Sequence, residues 1–332
     1  MKKHISVILT AVLAAVCLSA CGKSGKTEDA GASELSVVAT IFPPYDFTRQ
    51  IAGDDADVIM LLSPGAESHS YEPTPQDIKT IQSCDLFIYT GGESDVWVED
   101  ILSSMGDQMP ETLRLVDCVP TVTEEIVEGM EHGHEEHEDH GDHEDLEEHE
   151  DHEEETDEHV WTTPQNAIKI VENITSKLCE MDPDNAGSYE KNSAGYIEQL
   201  EMLDASFREV VGQAERRTIL FGDRFPFRYF ADEYGLKYYA AFPGCASDTE
   251  PSAATMAFLI NKVKEEKVPM VLKMELSNDN IAKAIAEATG TDVKVFYSCH
   301  NLTAQEFKDG ETYLSMMEKN VETLKEVLNG WH

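Results

Sequence analysis

From Leu35 onward, short apolar, β-branched runs alternate with amphipathic stretches, the pattern of βαβ units built around parallel sheets. Two such sets are visible. The first predicts strands near 35–41, 57–62, 86–90 and 113–117; the second predicts strands near 218–221, 237–242, 270–274 and 293–297. Helix starts are signalled at Thr74-Pro75, Asp95-Val96 and Thr163-Pro164; proline suits the first helical position and Thr the cap. Between the sets, Tyr189, Tyr196, Leu200, Leu203 and Phe207 recur at helical spacing, predicting one helix over 186–213 of roughly 40 Å at about 1.5 Å per residue. A closing helix is expected over 311–328. The expected fold class is α/β, two parallel-sheet lobes (35–185 and 214–332) joined by one long rigid helix. In such sheets ligands bind beyond the carboxyl ends of the strands, so two facing lobes predict an interlobe cleft.

The chain has 332 residues and 41% apolar content, enough for two cores. Its formal charge of −40 repels phosphate backbones, which argues against a nucleic-acid partner. Ahead of the first strand, Lys2 and Lys3 precede an apolar run over 5–18, too short for a membrane span and suited to a signal peptide over 1–20. Leu18-Ser19-Ala20-Cys21 resembles a lipobox, implying cleavage before Cys21, lipid on its thiol and a flexible tether over 21–34. The expected location is extracytoplasmic, anchored by that lipid to the outer face of a bacterial cell membrane.

Within 124–158 lies a histidine- and acid-rich stretch, too polar to form a core and expected to be a mobile loop. Residues 131–158 carry 17 Asp and Glu and no Lys or Arg, with seven histidines between His132 and His152. Imidazoles and carboxylates on a flexible chain make a weak, many-site cation collector that fails as His protonates. Five cysteines remain after Cys17 and Cys21. Cys245 and Cys299, each just past a predicted strand, are the expected disulfide; Cys84 and Cys118 are a second pair, with buried free thiols the alternative.

Two histidines stand at junctions between elements: His69, in the loop from Pro64-Gly65 to His69-Ser70-Tyr71-Glu72-Pro73-Thr74-Pro75, and His159, in His159-Val160-Trp161. Together with Tyr229-Phe230-Ala231, Tyr234-Gly235-Leu236, Glu250-Pro251-Ser252, Tyr313-Leu314-Ser315-Met316-Met317 and Asn320, these stretches resemble the metal-binding solute-binding lipoproteins of ABC transporters, the cluster A-I or cluster 9 family. The resemblance runs from about Leu35 to the C-terminus. It implies zinc or manganese binding, with His69 and His159 as the first two metal ligands. Its zinc-binding members often carry a histidine-rich loop just before the second ligand.

The second lobe departs from the family pattern. Where a third histidine or a glutamate is usual, this chain has Arg224, a permanent cation that must point away from a metal or neutralise a carboxylate. The position of the family's last ligand falls on His300. The expected metal site is therefore His69, His159 and His300, with water or a carboxylate from Asp223 or Glu275 completing it. This nitrogen-rich set suits Zn2+, with Mn2+ as the alternative.

The reading that follows is a non-enzymatic monomer that captures zinc between its lobes and delivers it to a permease and an ATPase on separate chains. Neither a P-loop nor spanning helices occur in the chain to supply those functions. A secreted zinc hydrolase would need a motif such as His-Glu-x-x-His, which is absent. A metal-buffering or adhesive lipoprotein, in which the histidine-rich loop matters and the cleft does not, is the alternative from another class.

Overall fold

A computed structural model describes residues 34–68, 71–106, 109–130, 156–246 and 250–330. The first sheet has the order β2-β1-β3-β4, formed by β1 (Leu35–Ala39), β2 (Ala56–Met60), β3 (Leu86–Tyr89) and β4 (Glu111–Arg114). The second repeats that order as β6-β5-β7-β8, with β5 (Thr218–Phe225), β6 (Lys237–Pro243), β7 (Met270–Lys273) and β8 (Asp292–Val295). Every pairing between these strands is parallel. The two α/β lobes expected from the alternating pattern are present.

Helices α1 (Phe42–Ala52), α2 (Pro75–Ser83) and α3 (Val96–Met105) cross between strands of the first sheet. Helix α2 starts where Thr74-Pro75 predicts: the Thr74 hydroxyl accepts from Asp77 N, and the Asp77 carboxylate accepts from Thr74 N, closing a capping box. Helix α4 (Pro164–Met181) is capped by Thr163 and buries Ala167, Ile170, Val171, Ile174 and Leu178 along one face. Helix α5 (Ala186–Gly212) matches the expected linking helix and packs against α4 and α1. The second lobe adds α6 (Arg228–Tyr234), α7 (Ala253–Glu265), α8 (Asn280–Thr289), α9 (Ala304–Asp309) and α10 (Tyr313–Asn329). Gly222 in β5 allows α8 to pack closely, since a Cβ there would stand 2.5 Å from Ala282 Cα.

The fourth strand differs from expectation. It spans Glu111–Arg114, and the apolar residues predicted to continue it turn into a 3-10 segment, Leu115–Cys118, that buries Leu115 and Val116. One apolar core runs through both lobes: Ile88 and Trp161 belong to the same cluster as Phe221, Phe296 and Leu324. Among the described residues, no helix is long and apolar enough to cross a membrane. Residues 1–20, Cys21 with the tether as far as residue 33, and 131–155 of the histidine-rich stretch, lie outside the described residues.

Candidate metal centre

His159 is reached through a short ordered lead-in. Thr156 bridges to Thr123, and Asp157 N donates to Val122 O at 2.9 Å. From the second lobe, the Tyr229 hydroxyl donates to Asp157 O at 2.7 Å. Asp157 Oδ1 accepts from both the backbone N and the ring Nδ1 of His159, each at 2.8 Å. An ionised carboxylate only accepts, so Nδ1 carries the proton and Nε2 is the nitrogen suited to a cation. The ring is fully buried. Burial pulls its pKa down, but the Asp157 carboxylate, with Glu158 and Glu124, outweighs this and leaves it raised. Gly244, at the end of β6, gives the ring room: a Cβ there would lie 2.9 Å from His159 Cε1.

His300 follows β8 on the facing lobe. The Asn320 amide brackets the end of that strand, accepting from Tyr297 N at 2.7 Å and donating to Tyr297 O at 2.8 Å. Cys299 then adopts a left-handed φ of 62°. Ser298 Oγ lies 3.1 Å from His300 Nδ1 and donates to Glu275 Oε1 at 2.8 Å, while Ser298 N donates to Glu275 Oε2 at 2.7 Å. Burial pushes the Glu275 carboxyl up to about 7. From the first lobe, Trp161 Nε1 donates to Ser298 O at 2.8 Å and Phe42 N donates to His300 O at 3.2 Å.

The two imidazoles meet at the seam with ring centroids 4.7 Å apart and planes at 82°; the Trp161 ring stands edgewise to His300 at 4.8 Å. One ligand atom each from Glu158, His159 and His300 falls within 4.8 Å of the others. His159 and His300, both expected from the sequence, are thus brought together. Glu158 was missed, because it reads as the last member of an acidic run. His69 lies outside the described residues, but Ser68 and Tyr71 on either side of it line a cavity with Glu158 and His300. That cavity measures about 10 Å³, the scale of a single water molecule.

The carboxylates proposed to complete the site are engaged elsewhere. Asp223 Oδ1 accepts from Arg224 N at 2.9 Å, and its Oδ2 accepts from Met274 N at 2.9 Å and from the Ser277 hydroxyl, tying down the loop after β7. Glu275 supports His300 through Ser298. Arg224 behaves as its charge requires, donating to Glu67 Oε1 at 3.1 Å across the seam. The expected Cys245–Cys299 disulfide is corrected: both are free thiols, as are Cys84, Cys118 and Cys179. Cys299 is buried in the shared core with its thiol toward Tyr297 O, while Cys245 sits in the turn after β6, its N bonded to Glu124 Oε1 at 2.9 Å.

Two parallel α/β lobes that share a core and bring an imidazole from each side to one seam define a two-lobed binding protein. The chain belongs to the family described as zinc-uptake complex component A, periplasmic, whose model matches residues 37–327. It is 36% identical to the zinc-binding lipoprotein AdcA of Streptococcus pneumoniae over 324 residues, 98% of this chain and 61% of that protein. The chain therefore spans less than two thirds of that relative's length. It is also 36% identical over 313 residues to the high-affinity zinc uptake system protein ZnuA of Bacillus subtilis, covering 94% of this chain and 93% of that protein. Among solved structures, the Zn(II)-bound ZnuA-like domain of S. pneumoniae AdcA aligns with a TM-score of 0.70 at 32% identity, covering 89% of this chain and 99% of that domain.

Proposed function

We propose that the protein is the extracytoplasmic solute-binding component of an ABC transporter, not an enzyme. It captures zinc between its lobes and delivers it to a permease served by an ATPase, both on separate chains. In this reading Cys21 carries the lipid that holds a monomer at the outer face of the cell membrane, and His69, His159 and His300 are zinc ligands. The observation that carries the reading is the His159–His300 pair: one imidazole from each lobe, 4.7 Å apart, each with its Nδ1 held by a neighbouring polar side chain. Paired imidazoles favour zinc over manganese, which prefers oxygen-rich sets.

The chain's own residues supply orientation. Asp157 makes His159 present Nε2, and the Glu275–Ser298 pair sets the rotation of His300. Trp161 ties the two loops together, so the ring nitrogens are preorganised before a cation arrives. Competition titration of the full chain against a strong zinc chelator tests the reading. One tight zinc per chain is expected, lost in both His159→Ala and His300→Ala. Tight binding that survives both changes would put the metal elsewhere and sink the cleft assignment.

A further inference from the structure

Resting on the zinc-capture reading above, we infer that Glu158 is itself a ligand of the bound cation. The first lobe then presents two consecutive donors, Glu158 and His159, and the second contributes His300.

Three observations carry this. The first is proximity: the Glu158 carboxylate belongs to the trio of ligand atoms within 4.8 Å of one another at the seam, whereas Asp223 and Glu275 do not. The second is the cradle around it. Glu158 is 1% exposed, and its oxygens accept from Ser94 N at 3.0 Å and from the Ser94 hydroxyl, in the turn after β3. That turn is shaped for the carboxylate, since a Cβ on Gly92 would stand 2.2 Å from Glu158 Oε2. Each carboxylate oxygen has two acceptor sites, so the Ser94 bonds orient the group while leaving it capacity to bind a cation.

The third is charge and donor chemistry. Asp95, Asp157 and Glu158 are all buried, and Asp95 and Glu158 line the same cavity. A deeply buried group of carboxylates is costly unless a cation offsets it. Imidazoles joined by one carboxylate are also donors that zinc accepts. With Arg224 unable to donate a lone pair, the oxygen ligand comes from the first lobe.

The site is then lopsided, because two donors are neighbours on one loop and the second lobe contributes His300. Loss of one bond would release the cation from the second lobe while the first still holds it.

The test is zinc competition on the full chain, with a chelator strong enough to strip weak histidine sites, alongside visible absorption of the cobalt-loaded protein. Glu158→Gln keeps the shape and an acceptor for Ser94 but removes the charge. The expected result is zinc affinity lowered beyond the ~10–100-fold that loss of an outer partner costs, and a shifted cobalt spectrum. Ser94→Ala should weaken zinc within that range. Glu158→Asp, with its carboxylate drawn back, should fall between wild type and Glu158→Gln; it keeps the test usable if Glu158→Gln folds poorly by thermal melting without metal. If Glu158→Gln and Glu158→Asp bind zinc as wild type does, with an unchanged cobalt spectrum, while His300→Ala still loses binding, Glu158 only braces the turn and the inference falls. If His159→Ala and His300→Ala also bind normally, the cleft reading itself fails.

Discussion

The hydroxyl of Tyr313 donates to the backbone carbonyl of Trp161 at 2.7 Å, across 152 positions of sequence. Tyr313 opens α10, its ring is fully buried, and its own N donates to Asp46 Oδ2 in α1 at 2.9 Å. One residue therefore joins the first helix, the last helix and the loop that carries Glu158 and His159. Tyr313→Phe keeps the packing but deprives a buried carbonyl of this donor, at an expected cost of about 1–3 kcal/mol. Denaturant unfolding should show the loss, and zinc titration should show weaker binding. Unchanged stability would mean that water replaces the hydroxyl.

Asp157 acts on the metal through His159. In Asp157→Asn the amide oxygen can still accept from Nδ1, but the charge that favours this tautomer is gone. Zinc affinity should drop by about 10–100-fold while the unfolding midpoint of the metal-free protein stays close to wild type. Isothermal competition titration separates the two effects, and an unaltered affinity would remove Asp157 from the site's support.

The Arg224–Glu67 ion pair spans the seam, yet it is partly open to water, with side chains 16% and 46% exposed. Exposed pairs of this kind contribute ~0–1 kcal/mol. Arg224→Met should leave both the unfolding free energy within about 1 kcal/mol of wild type and zinc binding unchanged. A marked fall in affinity would show that the arginine positions the site after all.

Asp46 supplies a pH dependence. Burial lifts its carboxyl from 3.8 to about 6 in the native protein, against the opposing bonds from Tyr313 N and Gln50 and the nearby Arg49 charge. Between those values the native chain holds a proton that the unfolded chain has released. Stability from this group is thus complete below about 4 and is lost as pH rises through about 6, at ~1.4 kcal/mol for each pH unit of that interval. Asp46→Asn should flatten that part of the stability–pH curve and stabilise the protein at neutral pH. Urea titrations at pH 4.5 and 7.5 check this, and an unchanged slope would assign it to another carboxyl.

Much of the fold was legible because the strands are short β-branched runs and Thr-Pro steps open α2 and α4. Strand β4 was misplaced because Leu115 and Val116 are as apolar as strand residues but are buried in a 3-10 turn. His159 stood out as an imidazole at an element junction, His300 came through the family resemblance, and Arg224 was expected either to point away from a metal or to neutralise a carboxylate. The choice between these could not be read, because Glu67 becomes a neighbour of Arg224 only once both lobes are built. Glu158 was hidden by composition, since its sequence neighbours are acidic and only the tertiary fold separates a buried carboxylate from solvated ones. The roles of Asp223 and Glu275 were equally hidden, because a carboxylate past a strand end looks alike whether it binds a cation or a backbone N–H.

The ties at the seam also set the order in which the molecule matures. His300 is held by Phe42 near the start of the described residues, and the loop carrying His159 is held by Tyr313 near their end. A chain emerging N-terminus first has both of its seam histidines before Tyr313, which ties down the loop carrying His159. Until α10 has been synthesised and docked, the nascent protein holds loose imidazoles in place of an assembled pocket. Truncation between His300 and Tyr313 would thus leave the seam histidines present and the binding site unmade.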